Sequence, residues 1–194
     1  MSRMQIAAAL AVSAVAAVAV LALAAGRDES TPRHGGDAAA AAEPEPKAVR
    51  RCKTAVYGEL DPEWRKRAVV AGPLALLPYL ERRPEPFVPD AELKVIAVVR
   101  AGASVTLAVP ETERQRISLL YDFGGPRLNR LFRLSDGTSS VRFIACSRGR
   151  ESQFNGGFFV RDAHCAAIEV WTEGRTNPIR RWLPVGVSDR VCPP

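Results

Sequence analysis

The chain has very few histidines, the residue that most hydrolases with a serine or cysteine nucleophile use as their general base. Its 194 residues include only two histidines, His34 and His164. His34 lies in a low-complexity stretch, so a Ser–His–acid site would have to use His164. No G-x-S-x-G segment is present to carry a nucleophilic serine. We therefore predict that His164 is a partly exposed strand residue without a catalytic role. The sequence identifies no catalytic residue.

Sequence patterns that bind metals or phosphate are also missing. No C-x-x-C pair occurs, and His164 and Cys165 are adjacent, so on a strand they would point to opposite faces. Asn155-Gly156-Gly157 is followed by neither a lysine nor a helical pattern, so it predicts a tight turn. We expect no metal site and no cofactor.

Paired carboxylates are the remaining candidates for catalysis, as in glycoside hydrolysis. Each candidate pair lies near a predicted turn or strand end, where solvated acids are common. Spacing alone singles out none of them. The pairs are Glu111 with Glu113, Glu169 with Glu173, and Asp61 with Glu63.

The N-terminus has the pattern of an export signal. Residues 1–5 are basic, and residues 6–25 are apolar except for Ser13. This run of 20 residues is longer than a usual signal core and long enough to span a bilayer. Residues 1–25 are therefore either a signal peptide, with Ala22-Leu23-Ala24 as a cleavage site, or a single membrane anchor. In both cases Arg3 favours an N-in orientation, with the rest of the chain outside.

The remainder divides into a linker and a domain. Residues 26–50 are rich in alanine and proline and show no apolar periodicity, so they predict a flexible linker. Residues 51–194 predict one domain with a proper core. The linker would serve as a stalk above a membrane or remain as a tail after signal cleavage.

All four cysteines follow the apolar run, as expected for a domain held by two disulfides in an oxidising compartment. Four cysteines allow three pairings. We favour Cys146–Cys165, which would join neighbouring strands. The second pair would then be Cys52–Cys192, which would tie the ends of the domain together.

Short apolar runs separated by turn residues predict an all-β fold. Residues 104–109 alternate strictly between Val105, Leu107 and Val109 on one face and small or polar residues on the other. Asp136-Gly137 indicates a hairpin between residues 128–134 and 138–146. The eight or nine expected strands predict a single antiparallel β-sandwich, for which an immunoglobulin-like arrangement is one candidate.

The missing catalytic groups and the cross-linked β framework favour binding over catalysis. The net charge is +6, and basic groups such as Arg65-Lys66-Arg67 and Arg180-Arg181 would suit an anionic envelope polymer or a lipid surface if they cluster in the fold. If they are scattered they form only a solvated surface, and this is the arrangement that we expect. Another envelope protein is a further candidate partner, and a nucleic acid conflicts with export. We expect a non-enzymatic extracytoplasmic envelope domain. The alternative is a cell-wall-directed hydrolase that uses carboxylates.

The aromatic residues allow two interpretations. Trp64, Trp171 and Trp182, with the tyrosines, would form a stacking platform for sugars if they were exposed together. On strands such residues more often fill a sandwich core or its rim. We expect the second arrangement.

Three segments carry a resemblance to a known group of proteins. They are Ala71-Gly72-Pro73-Leu74, residues 100–107 (RAGASVTL), and residues 153–165, which begin QFNGGFFV. With these segments the chain resembles exported or membrane-anchored proteins of high-GC Gram-positive bacteria (actinobacteria) that have no known activity. The resemblance implies an extracytoplasmic location and a disulfide between Cys146 and Cys165. It implies no catalytic residue.

Overall fold

A computed structural model describes residues 42–78, 88–122, 132–149, 151–187 and 192–193. All of these residues belong to the compact unit Ala39–Pro194. The helical segments in these ranges all lack the length and the hydropathy of a membrane span. The predicted signal or anchor, residues 1–25, lies outside the described residues, as does linker segment 26–41.

The described residues form two β-sheets, which confirms the predicted all-β sandwich. One sheet has the order β1-β7-β5-β10-β11, and the other has the order β2-β3-β4-β9-β6, with β8 also paired to β4. The immunoglobulin-like arrangement stays a prediction. The strands are β1 Ala48–Arg51, β2 Val69–Ala71, β3 Leu74–Pro78, β4 Ala91–Arg100, β5 Ser104–Ala108, β6 Ile117–Leu119, β7 Ser140–Ile144, β8 Glu151–Phe154, β9 Gly157–Val160, β10 His164–Thr172 and β11 Ile179–Val185.

The core lies between the inner faces of the two sheets. Alternation in β5 places Val105 and Leu107 inward, as predicted, and β10 does the same with Ile168 and Val170. Tyr121 lies at the centre, with its ring edge-on to Phe143 at 5.1 Å between centroids. A smaller cluster around Trp64 covers the outer face of β3 and β4.

The first strand departs from the predicted antiparallel pattern and from the predicted linker. β1 runs parallel to β7, with Ala48 opposite Val141. The preceding chain is also fixed, because the Ser140 hydroxyl donates to the Glu45 carbonyl at 2.9 Å. Residues 42–50 therefore belong to the domain. The sequence does not predict this, because the segment is polar and proline-rich. Only Ala48 is buried in the core, and one apolar residue gives no periodicity.

The Asn155-Gly156-Gly157 segment is a kink and not the predicted tight turn. The chain does not reverse there, because β8 and β9 both pair antiparallel with β4 along its length. At the kink the Val95 carbonyl accepts a hydrogen bond from the Tyr121 hydroxyl at 2.9 Å. A Cβ atom on Gly156 would overlap the Tyr121 ring and lie 2.8 Å from the Leu120 carbonyl oxygen. Glycine is needed here for this close approach.

The predicted hairpin at Asp136-Gly137 is wrong as far as the structure describes it. Leu134–Asp136 form a 3₁₀ turn, closed by a 2.8 Å hydrogen bond from the Arg133 amide to the Asp136 carboxylate. Gly137 has a φ of −90°, whereas a primed turn needs a positive value. The glycine instead allows close packing against Ser118. Most of the predicted first strand of the hairpin, residues 128–134, lies outside the described residues.

All four cysteines form disulfides, but the favoured pairing is wrong. The bonds are Cys52–Cys146 and Cys165–Cys192. Cys52 and Cys146 follow the adjacent parallel strands β1 and β7, so the strand ends meet, with a Cα–Cα distance of 4.7 Å. Cys165 lies on β10, which β5 separates from β7. Two strand spacings of about 4.8 Å exceed the Cα separation that a disulfide allows.

Removing the two disulfides one at a time should lower the free energy of unfolding by different amounts. The Cys52–Cys146 bond closes 94 residues and the Cys165–Cys192 bond closes 27. Loop-closure entropy then predicts losses of about 4–5 and about 3–4 kcal/mol, respectively, when each pair is replaced by alanine. Urea unfolding measures both values, and non-reducing peptide mapping checks the connectivity. A Cys146–Cys165 peptide, or a larger loss for the shorter loop, would contradict this assignment.

Gly156→Ala should destabilise the domain by about 2–3 kcal/mol, because the methyl group forces the Tyr121 ring and the Leu120 backbone to shift. Gly58→Ala is the matched control, since the nearest atom to its Cβ would be 3.6 Å away. We expect the control to change stability by no more than about 0.5 kcal/mol. Thermal and urea unfolding of the two variants measure both effects. Equal losses of stability would contradict the claim that Gly156 is needed for the close approach of Tyr121.

Candidate functional site

A polar row crosses the outer face of the five-stranded sheet. Thr106 on β5 lies opposite Arg142 on β7 and opposite Trp171 on β10. These residues alternate with the core residues of their strands, so they face away from the core. Together with their neighbours they line a groove of about 290 Å³. We call it the outer groove, and its lining residues are Glu43, Ser104, Val105, Thr106, Arg142, Trp171 and Glu173.

Glu43 forms one wall of the outer groove and is held by two charge-assisted bonds. The Thr106 hydroxyl donates to Glu43 Oε1 at 2.7 Å, and Arg142 Nη2 donates to the same oxygen at 2.6 Å. Arg142 Nε also donates to the Thr106 hydroxyl at 3.2 Å. Thr106 is fully buried, so its hydroxyl depends on these partners. Among the described residues, the second oxygen of Glu43 has no partner.

The charge of Glu43 is stabilised by this arrangement. Partial burial acts to raise the pKa of Glu43, but the hydrogen bonds from Thr106 and Arg142, with the charge of Arg142, outweigh it. The pKa therefore lies below its usual value, and Glu43 is ionised at neutral pH. Glu43 therefore acts as a negatively charged hydrogen-bond acceptor, and it is poorly suited to act as a general acid.

The other end of the outer groove offers groups that are not engaged. Glu173, in the turn after β10, is exposed and has no hydrogen bond or ion pair within the described part of the chain. Ser104, at the start of β5, adds a hydroxyl. Such groups are available to an incoming molecule, since they would lose only water on binding.

Trp171 contributes a buried donor to the outer groove. The side chain is only 3% exposed, and its indole Nε1 has no hydrogen-bond acceptor among the described residues. Buried donors in native proteins are paired in the great majority of cases, so an unpaired one needs an explanation. Trp171 lines the outer groove, but its Nε1 atom has almost no solvent-accessible surface, so a ligand in the groove would supply the acceptor only after a small shift of the lining.

His164 is buried and paired, which corrects the prediction of a partly exposed residue. Its Nε2 lies 3.1 Å from a carboxylate oxygen of Glu113, and its Nδ1 lies 2.8 Å from the Asp162 carbonyl. Asp162 in turn binds Arg116 at 2.9 Å. Both ring nitrogens are therefore occupied by contacts within the fold. This network ties the Glu111–Glu113 turn to β10 and leaves no free nitrogen for general-base catalysis.

The predicted carboxylate pairs are not arranged as catalytic pairs. Glu113 is bound to His164, while Glu111 is exposed. Glu169 binds Arg180 at 3.1 Å, and only its predicted partner Glu173 lines the outer groove. The third pair is also engaged with basic side chains on the surface. Asp61 binds Arg67 at 3.0 Å, and Glu63 binds Lys66.

The basic and aromatic groups are scattered over the domain. Arg65 binds Glu151, and Arg180 binds Glu169, so both are largely neutralised by acids. Arg82, Arg83, Arg127 and Arg130 lie outside the described residues. Trp64 and Trp171 are buried, as expected for core and rim residues. Trp182 is exposed on the outer face of β11 and does not line the outer groove.

A second cavity of about 390 Å³ lies beside Trp64 on the other sheet. Its floor is mainly apolar, with Ala75 and Val98, and the Arg65–Glu151 pair lies at its rim. The polar groups of that pair are already matched to each other. Arg100 also lines this cavity, which therefore presents an apolar floor and a positive charge, unlike the acidic lining of the outer groove.

Sequence reasoning missed most of the outer groove. The sequence pattern places Glu43 in a linker and indicates no role for Thr106 or Arg142. The alternation of residues 104–109 did place Ser104 and Thr106 on the face opposite Val105 and Leu107. The order of the strands was the missing information, because it brings β7 and β10 to the two sides of β5.

No protein-family model, curated protein or solved structure matches the chain. The resemblance to exported actinobacterial proteins therefore stays a prediction. No cluster of histidine, cysteine and acidic side chains within the described segments has the geometry to hold a metal ion.

Replacing Glu43 with glutamine should lower stability in a pH-dependent way. The pKa is lower in the folded state than in the unfolded chain, so the charge contributes stability above the unfolded pKa. That contribution is lost as the pH falls through the folded value. At about pH 7 we expect a loss of about 1 kcal/mol, because the partners are partly solvent-exposed.

Urea unfolding of the wild type and of Glu43→Gln, between about pH 7 and about pH 2.5, tests this expectation. The two free energies of unfolding should converge in acid. Glu59→Gln, at an exposed position outside the outer groove, is the control and should show no such convergence. A Glu43→Gln difference that stays constant down to the lowest pH would contradict the ion pair.

Proposed function

We propose that this chain is a non-catalytic binding module of the cell envelope and that its ligand site is the outer groove. The observation that carries the proposal is the indole N–H of Trp171, which is buried at this groove without an acceptor. Around it are the Glu173 carboxylate and the Ser104 hydroxyl, which are also available. A concave site with a few convergent polar groups is the usual form of a ligand site.

The frame around the outer groove favours binding. The floor of the groove is built on three adjacent strands, β7, β5 and β10, whose other faces are packed in the core, while Glu43 precedes β1 and Glu173 lies in the turn after β10. Residues on strands hold their side chains more firmly than residues on loops. The strand residues of this floor lose little side-chain entropy when a ligand enters, which supports affinity for a small ligand.

The location outside the cytoplasm rests on two features. The two disulfides are typical of proteins that fold in an oxidising compartment. The apolar run at residues 6–25 supplies the export element, either as a signal peptide or as a membrane anchor. Envelope material is therefore the natural source of the ligand.

The charges in the outer groove favour binding over the alternative of a carboxylate hydrolase. A glycoside hydrolase needs one carboxyl group with a raised pKa as its general acid. Glu43 has a lowered pKa, because its bonds to Thr106 and Arg142 outweigh its burial. Among the described carboxyl groups, a raised pKa is found at Glu92, through burial, and Glu92 does not line the groove.

Co-sedimentation with washed cell-wall sacculi tests the proposed function. The full-length protein, kept in mild detergent, should sediment with the sacculi. Glu173→Arg places a long cationic side chain at an exposed position of the groove and should reduce the bound fraction about tenfold. Glu59→Arg carries the same change at an exposed position elsewhere and should bind like the wild type.

Two results would contradict the proposal. The first is equal sedimentation of Glu173→Arg and the wild type, with both proteins shown to be folded by thermal unfolding. The second is release of soluble sugar fragments by the wild type but not by Glu173→Arg, which would instead support the hydrolase.

A further inference from the structure

We infer that the ligand of the outer groove is an uncharged, hydroxyl-rich saccharide. This inference rests on the proposed function, since it names the chemical class that the groove would bind. It differs from the expectation, based on net charge, of an anionic polymer. Three properties of the groove lead to it: its charge, its hydrogen-bonding groups and its size.

The outer groove has an excess of negative charge although the whole chain is basic. Its cation, Arg142, is bound to Glu43 and neutralised by it. Glu173 then remains as an uncompensated carboxylate on the lining. On the same sheet face, Arg180 is bound to Glu169 and adds no free positive charge. An anionic ligand would meet like charge here, which is unfavourable.

The hydrogen-bonding groups of the outer groove are mixed in kind. The acceptors are the second oxygen of Glu43 and the carboxylate of Glu173, and the donor without an acceptor is the indole N–H of Trp171, which a ligand reaches through a small shift of the lining. The Ser104 hydroxyl is both a donor and an acceptor. A ligand that fits must offer donors and acceptors close together. Adjacent sugar hydroxyls do so, because each one donates and accepts, whereas an amine or a carboxylate supplies one kind only.

The size of the outer groove supports a small, compact ligand. Its volume of about 290 Å³ is at the lower end of the range for ligand pockets. A single sugar ring, as the end or one unit of a longer chain, suits such a volume. A lipid chain would need an apolar lining, and the lining here is largely polar.

The test uses the indole N–H signals of the three tryptophans in the full-length protein, labelled with ¹⁵N. The signals are assigned from Trp64→Phe, Trp171→Phe and Trp182→Phe. The probes are tetramers of glucose and of N-acetylglucosamine, which are uncharged, of glucosamine, which is cationic, and of galacturonate, which is anionic. An uncharged tetramer should shift the Trp171 signal downfield in a saturable way, because the N–H gains an acceptor.

Three controls accompany the titration. Trp182, exposed on the same sheet face but outside the outer groove, should keep its signal unchanged. Glu173→Ala should weaken binding of the uncharged tetramer about tenfold, since a hydrogen bond to a charged group is lost. Raising NaCl from about 0.05 to about 0.5 M should change the dissociation constant less than about twofold, because the ligand has no charge to screen.

The outcomes separate this inference from the proposed function. If only the anionic or cationic tetramer shifts Trp171, the groove binds ligands but the inferred class is wrong. If no tetramer shifts Trp171 while the sacculi still require Glu173, the saccharide inference again fails and the proposed function stands. If no tetramer shifts Trp171 and Glu173→Arg binds the sacculi like the wild type, both are wrong.

Discussion

The hydroxyl group of Thr106, fully buried between Glu43 and Arg142, is the contact on which much of the domain depends. It holds Glu43 against the outer face of the five-stranded sheet, and Ser140 on β7 holds the following residues Glu45 and Lys47. From there the chain enters β1, parallel to β7, and Cys52 reaches Cys146. Losing either partner would leave the buried hydroxyl with one hydrogen bond instead of two, at a cost of about 1 kcal/mol. The groove wall, the edge strand and the longer disulfide loop are therefore joined along one short segment of chain.

The two faces of the same strands have different roles, since one face packs the core and the other lines the outer groove. The inner faces of β5, β7 and β10 pack the core with Leu107, Val141 and Ile168, among others. The outer faces of the same strands carry the polar row that includes Thr106 and Arg142. A substitution in the outer groove can therefore change binding without opening a cavity in the core. Conversely, the packing of the core fixes the register that brings the polar row together.

The sequence predicts the parts of this protein that depend on local periodicity. Alternation along residues 104–109 identifies β5 and its inward Val105 and Leu107, and it supports the all-β class. Strand order depends on long-range pairing, which no local pattern contains. For that reason the sequence predicts the wrong partner for Cys146 and places Glu43 in a linker. It does not predict the kink at Gly156 for a related reason, since the cause of the kink is the Tyr121 ring from a distant segment.

The central claim is that the outer groove is a binding site with a floor fixed by the sheet and with an unpaired donor from Trp171 in its lining. A crystal structure of the protein with an uncharged tetrasaccharide tests it most directly. The account predicts one sugar ring in the outer groove, with an oxygen within about 3.2 Å of Trp171 Nε1 and a hydroxyl donating to Glu173. A sugar bound elsewhere, or an indole Nε1 already bonded to a protein acceptor, would contradict it.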